Sequence, residues 1–185
     1  MTEEKDRHLE PIFEAFYIKS IIYTCGRALE AFQRYDDGLL TSRDAEVVVG
    51  HLHEALIHSA ALSRFFWPIF QQKIHVSRGE KLKEAFGLQE DSPLNTKDLR
   101  DALEHFDERL DKFLLEDHIG YFFPEYILGL ESLNDDPLLN IFRLVDPATN
   151  TFILLGRKYN FELIRETVKN VYDQAIKADE SGGKL

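Results

Sequence analysis

The spacing of apolar residues between Ala15 and Phe32 limits most strongly what this chain can fold into. Ala15, Ile18, Ile22, Cys25, Leu29 and Phe32 follow one another at steps of three and four, which lines one side of an α-helix and leaves no alternation for a strand. The pattern predicts a first helix from about His8 to about Tyr35, with Pro11 accepted in its first turn and Asp36-Asp37-Gly38 as the exit. Gly26, inside that helix, is read as a close helix–helix approach.

The same spacing returns twice. Val48, Leu52, Ala55, Ser59, Leu62, Phe66 and Ile69 mark a second long helix, beginning after Thr41 or Ser42 as N-cap. Phe65-Phe66-Trp67-Pro68 should end or kink it near Trp67, and the aromatic rings read as a core plug. A short helix is expected from Gly79 to Phe86. A third long one runs from Lys97 to about Glu116, capped by Asn95 or Thr96, with Leu99, Leu103, Phe106, Leu110 and Phe113 as its stripe. His118 to Pro124 then breaks the helical pattern.

Past residue 140 the character changes. Ile141-Phe142-Arg143-Leu144-Val145 and Thr151-Phe152-Ile153-Leu154-Leu155 flank Asp146-Pro147-Ala148-Thr149-Asn150, which reads as a β-hairpin at about 140–157, an appendage to the bundle. Asn160 caps a last helix to about Ala178, with Leu163, Thr167, Val171 and Ile176 turned inward. The fold class is therefore mainly α: an up-and-down helical bundle with a small C-terminal β-hairpin and a final helix. Residues 8–180 form a single domain in this reading, between a flexible lead-in at 1–7 and a flexible tail at 181–185.

The 185 residues carry a formal net charge of −11, which argues against general affinity for nucleic acid and restricts any action on RNA to a local site. The single cysteine, Cys25, cannot form an internal disulfide and fits packing in a reducing cytosol, so a cytoplasmic location is expected. No apolar run reaches the ~20 residues of a membrane span, and no membrane partner is expected.

Arg100 and His105 stand on the borders of the third apolar stripe. Five residues apart, they lie about 140° from each other around one helix, a poor arrangement for joint chemistry. If two copies of the helix met across a two-fold axis, Arg100 of one protomer would approach His105 of the other. Arginine stabilises charge on a phosphate, and histidine moves protons to or from ribose and leaving oxygens. Asp101, one turn before His105, is the candidate to orient it. The alternative is a solvated face on which Arg100, Glu104, His105 and Glu108 form ordinary ion pairs.

Arg100-Asp101-x-x-x-His105 resembles the Arg-x4-6-His signature of the HEPN superfamily. With Ala55-Leu56-Ile57-His58 through Leu62-Ser63-Arg64-Phe65-Phe66-Trp67-Pro68, the chain looks most like the abortive-infection-type branch, over roughly residues 8–120. The resemblance implies a homodimeric, metal-independent endoribonuclease, acting in bacterial phage defence or as the toxin of a toxin–antitoxin pair, with RNA as substrate and an antitoxin protein as partner. Arg100 and His105 would be catalytic. Glu54 would support them from the interhelical cleft, where HEPN-like proteins often place a polar residue. Asp107 stands where one toxin subgroup has a tyrosine, so regulation through that tyrosine is not implied. The competing class is a non-catalytic helical homodimer serving as an RNA- or nucleotide-binding or protein-interaction module.

Other candidates are weaker. His51, His53 and His58 show no metal-ligand spacing, and Glu54 with His58 reads as a polar pair. There is no Gly-rich phosphate loop, nucleophile elbow or zinc pattern, so no cofactor and no metal are expected.

Overall fold

The computed structural model describes residues 11–42, 44–116, 120–128 and 139–185. The helices are α1 (Pro11–Thr41), α2 (Ala45–Phe66), α3 (Lys73–Ala85), α4 (Lys97–Glu104), α5 (Phe106–Leu114) and α6 (Phe161–Glu180). Between α5 and α6 come β1 (Tyr121–Ile127), β2 (Leu139–Asp146), β3 (Thr151–Leu154) and β4 (Arg157–Asn160). The protein is mainly helical, with a small sheet and a final helix, as expected. The lead-in at 1–7, the helix start at His8 and residues 118–119 of the aromatic break lie outside the described residues.

α1 lies between α2 and α6. Two neighbours need a wider apolar face than one, so Ile18, Ile21, Cys25, Ala28, Ala31, Phe32 and Tyr35 are all buried. The helix does not stop at Asp36-Asp37-Gly38 but continues a turn further. Arg165 of α6 binds Asp36, and Gly38 serves a close approach: a Cβ there would meet Val48 Cγ2 at 3.1 Å. Gly26, by contrast, faces only the Tyr172 ring at ordinary contact distance, 3.9 Å.

α2 follows its expected stripe as far as Phe66, after which Pro68 ends the helix and Ile69 points to solvent. Its N-cap is Asp44 instead of Thr41 or Ser42, the carboxylate accepting from the Glu46 amide at 3.0 Å. Phe66 and Trp67 do plug the core, with Phe66 edge-on to Phe86. α3 starts six residues earlier than expected, at Lys73.

The third long helix is broken. His105 leaves helical geometry (φ −114°, ψ 39°), and α4 and α5 separate there. The two halves meet different neighbours. Leu99, Arg100 and Ala102 pack toward α2, while Phe106 lies under Arg143 of β2, with the guanidinium 4.3 Å from the ring centre.

The expected hairpin is present as β2–β3, with Val145 opposite Phe152. It is the middle of a four-stranded sheet in the order β1-β2-β3-β4. β1 pairs parallel to β2, and β4 pairs antiparallel to β3. Val145 and Phe152 are fully buried in the common core, so the sheet is part of the body of the protein.

Asn160 caps α6, accepting from the Leu163 amide at 3.2 Å. Capping puts Leu163 in the first turn at the surface, and the buried face is Phe161, Ile164, Val168, Val171 and Ala175; Val171 is inward as expected, while Leu163, Thr167 and Ile176 give way to their neighbours Ile164, Val168 and Ala175. Residues 181–185, expected as a flexible tail, turn back onto α1. The Leu185 amide donates to Glu14 at 2.8 Å, and the Leu185 side chain packs against the core.

Candidate functional site

The end of α2 organises the site. An α-helix leaves its last carbonyls without intrahelical donors and carries partial negative charge there. Pro68 prevents continuation, and two arginines from elsewhere occupy the position. Arg78 of α3 donates to the carbonyls of Arg64 (3.0 Å) and Phe65 (3.4 Å). Arg100 of α4 donates through Nη1 to the carbonyl of Trp67 at 3.3 Å.

Arg100 is thus not on an exposed border; it is 8% exposed. It makes no ion pair with a carboxylate among the described residues. Burial and the neighbouring Arg64 charge both push its pKa down, against a weaker pull from Asp101. Arg64 itself is engaged by Glu104. A desolvated guanidinium with one carbonyl bond retains donors for an anion.

His105 sits at the α4–α5 break with its side chain half exposed. Its Nδ1 lies 3.6 Å from Glu108 Oε1, beyond hydrogen-bond length. Asp101 does not orient it: that carboxylate bonds Arg109 at 2.5 Å, and Arg109 is the main cause of its lowered pKa, with His105 a smaller one. Glu54 points elsewhere as well. It pairs with Arg34 at 2.7 Å, which holds its pKa down, and lies 3.8 Å from His58 Nε2, the i,i+4 pair expected on α2.

The structure therefore brings together Arg100, Arg64 and the end of α2. It leaves His105 on the adjoining surface and separates Glu54 from both. Arg64 and Arg78 were not singled out from sequence, although a basic residue in the last turn before a proline is a legible capping signal.

A second network lies one turn away. Asp98 accepts from Tyr159 at 2.6 Å and from Arg109 at 3.2 Å, and also binds Arg157. Burial pushes the Asp98 carboxyl up, but these hydrogen bonds and charges outweigh it and hold its pKa down.

Among the described residues no three His, Cys, Asp or Glu side chains gather as metal ligands would, and no helix is long and apolar enough to cross a membrane. No family model, curated protein or solved structure matches the chain.

Proposed function

We propose that this protein is a metal-independent endoribonuclease of HEPN type that works as a homodimer, in a defence or toxin–antitoxin setting. The observation that carries the reading is Arg100: a desolvated guanidinium with no carboxylate partner among the described residues, five residues before a half-exposed imidazole at a helix break. An arginine so placed suits the charge of a scissile phosphate, and an imidazole free of hydrogen bonds to carboxylates suits proton transfer. Arg100 of one protomer would hold the phosphate while His105 of its partner takes the 2′-hydroxyl proton or protonates the leaving oxygen.

A fluorogenic RNA assay in the presence of a chelator tests this. The wild type is expected to cut, and Arg100→Ala and His105→Ala each to lose at least ~100-fold. Mixing the two inactive variants should restore about a quarter of the activity, because half the dimers are mixed and each holds one complete site. Cleavage indifferent to both substitutions overturns the assignment. Failure of the mixture to recover overturns the shared site.

One observation favours a second reading, a non-catalytic interaction module. The Arg100 bond to the Trp67 carbonyl is itself a structural role. A dimeric wild type that cuts no RNA is the outcome this reading expects.

A further inference from the structure

A cavity of about 340 Å³ opens between α5 and the β3–β4 turn. Its size is within the range of small-molecule sites. Phe113, Leu154 and Leu155 supply apolar surface; Arg109, Arg157 and Lys112 line it as cations, and Asp101 and Glu116 as carboxylates, Asp101 being tied to Arg109. Arg109 and Arg157 both bind Asp98, and Arg109 also binds Asp101. These carboxylates hold the guanidinium groups in place. Each makes its ion pairs through a single terminal nitrogen, Nη2 for Arg109 and Nη1 for Arg157, so further donors remain on both. Lys112 has no carboxylate partner among the described residues.

The turn adds an independent sign. Leu155 and Gly156 form a two-residue connection with φ of 47° and 79°. Both positions are left-handed, where glycine or asparagine is the inexpensive choice. Leucine is strained there, yet its side chain lines the cavity and packs on the core. Strain of this kind concentrates at ligand clamps.

From these features we infer that the cavity binds a small organic phosphate, with a compact apolar body on Phe113 and Leu155 and a dianionic head among Lys112, Arg157 and Arg109. Guanidinium groups match phosphate by paired N–H donors, and the apolar wall distinguishes an organic ester from the free ion. The site uses neither Arg100 nor His105, so it stands or falls separately from RNA cleavage.

The test is titration of the full-length chain with phenyl phosphate, inorganic phosphate, benzoate and benzyl alcohol, followed by backbone amide shifts. Phenyl phosphate is expected to give saturable shifts at Phe113, Leu155 and Gly156. Each of the other three should bind at least ~10-fold more weakly. Lys112→Glu, at an exposed and unpaired position, should weaken phenyl phosphate by at least ~10-fold without altering the fold by circular dichroism. The inference is overturned by absence of saturable binding, by benzoate or inorganic phosphate binding as tightly as phenyl phosphate, or by an unaffected Lys112→Glu variant.

Discussion

Arg165 holds Asp36 with both terminal nitrogens of its guanidinium, at 3.0 and 3.1 Å, and so joins α6 to α1. The same group lies 4.7 Å from the centre of the Phe32 ring. The paired geometry needs a planar fork, which lysine lacks. Arg165→Ala is therefore expected to cost about 1–2 kcal/mol in denaturant unfolding, and Arg165→Lys to recover less than half of it. Full recovery by lysine would show that only the charge matters.

His53 gives the protein an acid-sensitive element. Its ring stacks on Phe152, and burial, with the Arg143 charge adding to it, lowers the pKa from 6.5 to about 4. Between those two values the unfolded chain takes up a proton that the folded chain refuses. Stability is thus complete above pH 6.5 and falls as pH drops toward 4, by up to about 3 kcal/mol. His53→Phe should flatten this part of the pH–stability curve. Because Nε2 has no hydrogen-bond partner to lose, the substitution should cost little at pH 7. An unchanged acid slope would rule His53 out as its source.

Gly79 is where α3 meets the end of α2. An added Cβ would sit 2.7 Å from the Phe66 carbonyl oxygen and 2.9 Å from Pro68 Cδ. Gly79→Ala is expected to lower stability by about 2 kcal/mol, or roughly 4–8 °C in Tm, despite alanine's better helix propensity. Gly50→Ala, with nothing within 4 Å, is the control and should stabilise by about 0.5–1 kcal/mol.

Arg100 separates stability from function. It is desolvated and stands beside another arginine, and in return it gains one carbonyl bond. Replacing such a charge by an apolar chain of similar length is often neutral or favourable. Arg100→Met should therefore leave Tm unchanged or raise it, and the proposed function requires that it abolish RNA cleavage. A loss above about 2 kcal/mol would make the guanidinium part of the scaffold.

Where a feature is governed by neighbours in the chain, it was legible. The α2 stripe, its end at Trp67, the β2–β3 hairpin and the Asn160 cap all follow from residues within a few positions of one another. Features set by distant partners were not. Tyr121-Phe122-Phe123-Pro124 has no alternation and contains a proline, and becomes a strand because β2 pairs alongside it. Asp36 continues a helix because of Arg165, 129 residues on. The α4–α5 break is invisible in a stripe that would suit an unbroken helix; it falls at His105, next to the Phe106 ring that Arg143 covers. At the candidate site, sequence singled out Arg100 and His105 but misjudged their surroundings. Burial of Arg100 depends on the end of α2 arriving beside it, and the carboxylate one turn before His105 was already committed to Arg109.

The placement of α1 between α2 and α6 also bears on synthesis. A ribosome delivers α1 first and α6 last, so the side of α1 carrying Phe32 and Tyr35 waits for its cover until more than a hundred further residues have emerged. Until then α1 and α2 form a hairpin with one apolar flank uncovered. Contacts of such long sequence separation slow folding and expose a nascent chain to holdase chaperones. Closure of the bundle thus waits for α6 to emerge.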